Sequence, residues 1–295
     1  MQVLIGGYSY SFVDDVLSHS NVRESYFQLA NTIFGLAFDR WHNSGYWDGG
    51  FIPYVLLDKG MAVSSVAVCV NDLTWRDSGK RYVQISTVMT LPEYRKKGLN
   101  RWLMEYVINE WKEKCDAIYL LANDTVVDFY PKFGFEEFTE YDHMIPVQKI
   151  PGTYKKLNMD NCDDMSLIVS RYKASNPFSE LKVNNLGQFI FHCLQFLSND
   201  IYYLEQFNAV VIVTYNGRMM TCYDIFTDSI CGINDVIGIL ANENTELAHL
   251  GFTPNQIINC LVQETQEEDY HLFVLAGKDN IFKDHKIKFA LLSRA

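Results

Sequence analysis

Four basic side chains crowd one short stretch of an otherwise acidic chain. Arg95, Lys96, Lys97 and Arg101 fall within seven residues, whereas the 295 residues carry 25 Lys and Arg against 36 Asp and Glu, a net charge of -11. A strand-like apolar run precedes this stretch and an amphipathic run follows it. Gly98 between them allows close backbone approach, and the start of a helix offers unpaired N–H groups and a positive dipole end. The stretch therefore predicts a phosphate-binding loop rather than a solvated basic turn.

A second stretch, NDTVVDFYPKFGF at 123–135, offers an aromatic hydroxyl, that of Tyr130. The two stretches together resemble two motifs of the GNAT N-acetyltransferase superfamily. VMTLPEYRKKGLNRW is similar to its acetyl-coenzyme A loop, V-x-P-x-x-[RQ]-x-x-G-x-[GA], and 123–135 to N-x-x-A-x-x-L-Y-x-K-x-G-F. The resemblance covers roughly residues 20–145. Either motif alone is weakly specific, but a predicted helix and strand separate the pair as in that superfamily.

The resemblance implies an enzyme that transfers acetyl from acetyl-coenzyme A directly to an amine. It implies that the backbone around Val88 pairs with the pantetheine arm where the strand opens, and that Asn123 contacts this arm or a nearby water. Tyr130 is implied as the general acid for the leaving thiolate, and no metal is involved. The cofactor-binding residues so implied are Val88, Met89, Thr90, Arg95, Lys96, Lys97, Gly98, Leu99, Asn100 and Asn123.

Two positions depart from the superfamily pattern. Asn100 stands where a small residue is usual, so it either loosens the phosphate contact or caps the following helix. Gln84 stands where some members have a glutamate base, and an amide cannot accept a proton. The base is therefore left open among Asp39, His42, Asp48 and a chain of water molecules, with the water chain ranked first. The carboxylate of Ala295 is a further candidate.

The acceptor site is expected at the aromatic segment DRWHNSGYWDGG, because the superfamily usually builds it there. Asp39, Trp41, Tyr46 and Trp47 are the candidates, since aromatic rings can cage a cation. Rings that close the core beneath a loop are an equally good interpretation of this segment.

Periodicity predicts a helix, three antiparallel strands, then helix, strand, helix and strand, a mixed-sheet α/β (α+β) fold. The second half repeats this plan loosely, with a hairpin at 215–217, a strand at 235–241, a helix at 255–269 and a strand at 270–276. Its counterpart of the basic loop, 242–254, has acidic residues, and no FYxKxGF follows. The chain is therefore predicted to hold two tandem copies of the GNAT fold. A catalytic domain would span 1–148, and a degenerate domain without cofactor loop would span 149–295.

Charge and cysteines limit the setting. The acidic balance disfavours nucleic acid and anionic membranes as partners and suits a small-molecule or peptide amine. Seven cysteines without CxxC pairs, and no signal-peptide-like start or membrane span, predict a cytoplasmic monomer or homodimer. Two alternatives stay open: a coenzyme A-binding sensor or interaction protein without turnover, and transfer of a longer acyl group.

Overall fold

The computed structural model describes residues 1–47, 49–255, 259–266 and 270–295. The candidate base Asp48 and part of the predicted helix at 255–269 lie outside them. The first half contains β1 (Gln2–Ile5), β2 (Tyr8–Val13), α1 (Ser20–Phe34), α2 (Phe38–Asn43), β3 (Phe51–Asp58), β4 (Met61–Trp75), β5 (Ser78–Thr90), α3 (Leu99–Trp111), β6 (Ala117–Ala122), β7 (Phe135–Phe138) and β8 (Tyr141–Pro146).

The second half continues the numbering. It contains β9 (Lys155–Lys156), α4 (Cys162–Tyr172), β10 (Leu181–Asn184), α5 (Leu186–Gln195), β11 (Ile201–Leu204), β12 (Ala209–Asn216), β13 (Met219–Phe226), α6 (Ile233–Leu240), β14 (Leu247–Leu250), β15 (Leu261–Glu264) and β16 (His271–Leu275). Short 3-10 turns follow several strands, among them Pro92–Tyr94, Asp124–Val126 and Tyr130–Phe133.

The strands form two mixed sheets, which confirms the predicted fold class. In the part of the chain that the structure describes, the first sheet has the order β1-β2-β3-β4-β5-β6-β16-β7, with β10 paired to the far end of β4. The second has the order β15-β8-β14-β13-β12-β11-β9. Pairing is antiparallel except between β5 and β6 and between β13 and β14.

The two sheets do not follow the predicted boundary at residue 148. β16 comes from the C-terminal end, yet it lies between β6 and β7 of the first sheet. β8 precedes the boundary, yet it pairs with β14 and β15 of the second sheet. The first sheet therefore takes β10 and β16 from the second half of the chain, and the second sheet takes β8 from the first half. The division into a catalytic and a degenerate domain stays a prediction.

Two elements of the predicted second copy are wrong, and a third lies in the other sheet. The segment 235–241 is not a strand but most of α6, and five of its apolar residues are buried. A continuous apolar run of this length fits a buried strand and a buried helix equally well. Within 255–269 the described residues form β15 instead of a helix. The strand at 270–276 exists as β16, but it belongs to the first sheet.

The first sheet is covered on both faces. Along β4, Val66 and Val68 point into a core shared with α3, whereas Ala67 and Cys69 point into a core shared with α1. This alternation is the period of two that a strand imposes on its side chains.

None of the helices among the described residues has the length and apolar character needed to span a membrane.

Candidate functional site

The site begins where β5 and β6 separate. These parallel strands pair only from Tyr82 to Ile85 and from Ala117 to Leu120, although both continue beyond. On its other edge β5 bulges, because Thr87 and Val88 together face the single residue Val66 of β4. Thr87 has a positive φ of 43° there. A bulge leaves backbone groups unpaired and bends the strand, and here it accompanies an opening in the sheet.

A cavity of about 1060 Å³ occupies this opening. Residues 86–90 of β5 line one side of it and residues 121–123 of β6 line the other. Ligand cavities commonly measure about 300–1,000 Å³, so this one has room for an extended ligand and a second, smaller one.

The basic loop forms one end of the cavity. Of the predicted cofactor residues, nine line it: Val88, Met89, Thr90, Arg95, Lys96, Gly98, Leu99, Asn100 and Asn123. Gly98 is the residue before α3 and has a φ of 87°, a conformation that favours glycine. The first turn of α3 therefore presents its free N–H groups at this end.

Lys97 is the exception among the predicted cofactor residues, because it is not among the described residues that line the cavity. The Lys97 ammonium lies 4.5 Å from the ring centre of Tyr94 and 6.0 Å from that of Tyr8, a cation–π arrangement on the outer side of the loop. The side chain turns away because Lys96, with a φ of 61°, changes the direction of the backbone just before it.

Asn100 does not cap the helix. Its Oδ1 accepts hydrogen bonds from Ser64 Oγ at 2.7 Å and from Thr90 Oγ1 at 2.8 Å. The side chain thus ties the first turn of α3 to β4 and β5. A small residue at this position would leave both hydroxyl groups without this acceptor, which accounts for the departure from the superfamily pattern.

Two cations outside the predicted list of cofactor residues also line the cavity: Arg101, already counted among the charges of the basic loop, and Lys132. Together with Arg95 and Lys96 they give this end four positive side chains. Within the described residues, Arg95, Lys96 and Lys132 take part in no ion pair. Arg95 Nε donates to the carbonyl oxygen of Thr90 at 3.2 Å. Positive side chains without a described carboxylate partner around a helix start fit a polyanion such as a pyrophosphate.

Tyr130 lines the cavity next to Asn123 and is only 6% exposed. The rings of Phe129, Phe135 and Phe273 surround it. This burial raises the pKa of Tyr130 to about 12. Among the described residues none hydrogen bonds its hydroxyl group, which is therefore available to a ligand.

Asn123 has a structural task besides facing the cavity. Its Oδ1 accepts hydrogen bonds from the backbone N–H of Thr125 at 3.1 Å and from Thr125 Oγ1 at 2.6 Å. This caps the turn that follows β6 and fixes the wall of the cavity ahead of Tyr130.

The expected acceptor residues are not among the described residues that line the cavity. Trp41 and Trp47 are 2% and 9% exposed and stack on each other at 4.2 Å, surrounded by phenylalanine rings. Tyr46 packs against the same core, and Asp39 is exposed on α2, away from the cavity. The rings are drawn into the core because each large aromatic surface gains more from burial than from exposure at a loop.

Gln84 holds the C-terminal segment. Its Nε2 donates to the carbonyl oxygen of Ala295 at 2.9 Å, and its Oε1 accepts from the Ala295 N–H at 2.9 Å. The carbonyl oxygen of Arg294 accepts hydrogen bonds from Gln188 at 2.8 Å and from His192 at 2.6 Å. Ala295 consequently lines the same cavity as Tyr130.

Local patterns gave no signal for several further lining residues. Ile33, Phe34 and Leu36 border the cavity at the end of α1. Asp128, between β6 and β7, and Tyr270, just before β16, also border it. Of the base candidates, Ala295 is in the cavity wall, whereas Asp39 and His42 are not.

Comparisons with known proteins agree with this architecture. Residues 50–137 match the model of the acetyltransferase (GNAT) domain family. A probable N-acyltransferase from Enterococcus faecalis V583 has a similar structure, with 14% identity, a TM-score of 0.60 and coverage of 90% of this chain and 72% of that one. Eis1 from Mycobacterium abscessus is similar at 13% identity and a TM-score of 0.55, over 89% and 72% of the two chains.

A GCN5-related N-acetyltransferase from Kribbella flavida is similar at 15% identity and a TM-score of 0.52, over 89% of this chain and 71% of that one. No curated protein matches in sequence. At such identities the structural likeness establishes the fold alone, and the domain match adds acyl transfer in general.

Proposed function

We propose that the protein is an N-acetyltransferase that moves an acetyl group from acetyl-coenzyme A to a primary amine, which the match of residues 50–137 to the acetyltransferase (GNAT) domain model supports. One observation carries the proposal. The cavity in the opening between β5 and β6 is lined both by the basic loop and by Tyr130, whose hydroxyl is hydrogen bonded by none of the described residues. Anion-binding groups and a proton donor facing one elongated cavity are what this transfer requires.

The residues at the basic end fit the cofactor. The N–H groups at the start of α3, with Arg95 and Lys96 beside them, would hold the pyrophosphate. Backbone groups of residues 86–90, freed by the bulge, would pair with the pantetheine arm and fix its position. When bound, acetyl-coenzyme A supplies an activated thioester carbonyl.

Tyr130 would donate a hydrogen bond to the sulfur as negative charge develops there. The phenol is buried and stays protonated, so it is available as a donor throughout the neutral range. The acceptor amine must lose a proton before or during attack. Of the base candidates, Asp39 and His42 do not line the cavity and Ala295 does. Water within the open cavity is the proposed first recipient, with Ala295 as the alternative.

A titration and a turnover assay test the proposal together. Acetyl-coenzyme A should bind the purified protein, and free coenzyme A should be released when an amine is added. The panel should include polyamines, aminoglycosides, aminoacyl compounds and arylalkylamines. Absence of amine-dependent release with every class would contradict the proposal.

A second function, a coenzyme A-binding sensor, is favoured by one observation. Gln84 occupies the position of a possible base, and its amide is committed to Ala295. Tight binding of acetyl-coenzyme A without turnover of any amine would support this alternative.

The described cysteines are free thiols, which supports our further proposal of a reducing, cytoplasmic setting. Fractionation of the source cells would test it.

A further inference from the structure

Three exposed apolar side chains meet at the cavity. Phe34 is 48% exposed, Val126 37% and Tyr270 48%, and each of them lines it. Ile33 and Leu36 stand beside Phe34 and are half-buried. Single exposed apolar residues are ordinary, but several around one concave site mark a place where a ligand covers them.

The part of this apolar wall formed by Ile33 and Leu36 lies across the sheet from the basic loop. α3 packs on the face that holds Val66, whereas Ile33 and Leu36, at the end of α1, pack into the core of the opposite face. The cavity touches both helices because the sheet is open between β5 and β6. The wall is therefore reached through the opening, on the side away from the phosphate-binding end.

Charge in the cavity is distributed unevenly. Arg95, Lys96, Arg101 and Lys132 line it, whereas Asp128 is the single acidic side chain among its described lining residues, with Ala295 as the one further candidate carboxylate. An acceptor with several ammonium groups would need a carboxylate for each buried charge. An acceptor with one amine on an apolar body needs only the wall that is present.

We propose that the wall formed by Ile33, Phe34, Leu36 and Tyr270 binds the body of the acceptor, and that this acceptor is a primary amine on an aromatic or aliphatic group rather than a polycation. The inference rests on the proposed acetyl transfer. It reverses the expectation of a cationic cage, because the rings expected to form that cage are in the core.

Steady-state kinetics test this specificity. With acetyl-coenzyme A saturating, kcat/KM for 2-phenylethylamine should exceed that for spermidine at least tenfold, since apolar contacts of this size discriminate by about 10- to 200-fold. An equal or higher kcat/KM for spermidine would overturn the inference and leave acetyl transfer itself intact.

Phe34 variants test the wall directly. Phe34→Ser should lower kcat/KM for 2-phenylethylamine about tenfold, mainly through KM, and Phe34→Leu should restore most of it. Ile230→Ser is the matched control, because Ile230 is fully exposed and does not line the cavity. If Phe34→Ser instead reduced the use of hexanoyl-coenzyme A and spared the amine, the wall would hold an acyl chain and the inference would fail.

Binding separates this inference from the proposed function. If no amine is turned over, acetyl transfer fails, and titration of 2-phenylethylamine into the protein saturated with coenzyme A decides the remaining point. Binding that Phe34→Ser weakens about tenfold keeps the apolar wall as an amine site. No detectable binding to the wild-type protein overturns it.

Discussion

Replacement of Tyr130 by phenylalanine tests the proposed chemistry most directly. The change removes one hydroxyl and leaves the ring among its aromatic neighbours, so the fold should be kept. A thiol titrates near 8.5, whereas burial raises the pKa of Tyr130 to about 12. Full proton transfer from Tyr130 to the thiolate would thus be uphill by about 3.5 pKa units, or about 5 kcal/mol. Burial therefore favours a hydrogen-bond donor over a donor that releases its proton completely.

The expected magnitude follows from that role. A hydrogen bond to a charged group contributes about 1.5–3 kcal/mol, so Tyr130→Phe should lower kcat by about 10- to 150-fold. General acids contribute about 10²- to 10⁴-fold, so the expected loss in kcat lies in the lowest part of that range or below it. The dissociation constant of acetyl-coenzyme A should change little, because the hydroxyl acts on charge that develops during the reaction.

The assay follows coenzyme A release for kcat and uses calorimetry for the dissociation constant. Tyr106→Phe is the control: Tyr106 lies on α3, stacks on Trp102 and does not line the cavity. The wild-type rate should also show no decline from Tyr130 ionisation below about pH 11, since the folded pKa is about 12. Unchanged kcat in Tyr130→Phe would remove this residue from the mechanism.

Three further outcomes are expected. The double variant Arg95→Ala/Lys96→Ala should weaken acetyl-coenzyme A binding about tenfold by calorimetry, whereas Lys97→Ala should stay within about twofold; equal effects would refute the assignment of the loop. Gln84→Leu should lower the free energy of unfolding by about 1–3 kcal/mol in urea, because the main chain of the C-terminal residue loses two hydrogen bonds; unchanged stability would show those bonds to be dispensable. Burial raises the pKa of Asp224 from 3.8 to about 7, so its contribution to stability is fully present below pH 4 and is lost as pH rises through 7. The free energy of unfolding of Asp224→Asn, relative to wild type, should therefore be higher at pH 8 than at pH 4 by on the order of 4 kcal/mol. The same difference in free energy between variant and wild type at both pH values would contradict this.

Short-range patterns identified the loop that we propose to bind phosphate. The spacing of the basic loop and of the stretch around Tyr130 depends on local geometry: a strand end, a glycine turn and a helix start within a dozen residues. The direction of the Lys97 side chain was not predicted, because it depends on the positive φ of Lys96, which the sequence does not indicate. The hydrogen bonds of Asn100 were not predicted, because its partners, Ser64 and Thr90, come from two different strands.

Long-range pairing explains most of the other differences. The apolar run at 271–275 is typical of a strand, but its sequence does not indicate that it pairs with residues about 150 positions earlier. The aromatic segment that includes Trp41 was equally compatible with a cage and with a core. Phe191, which lies far along the chain, packs with its ring centre 4.9 Å from that of Trp41, and this contact favours the core arrangement.

The place of β16 makes the cavity a shared property of the whole chain. A protein cut after residue 148 would leave β6 and β7 without the strand that joins them, and both edges would expose unpaired backbone groups. Such a fragment should aggregate or stay unfolded, even though it contains the complete cofactor motifs. Ligand binding at the N-terminal motifs should therefore protect β16 from hydrogen exchange, and the two sheets should unfold as one cooperative unit.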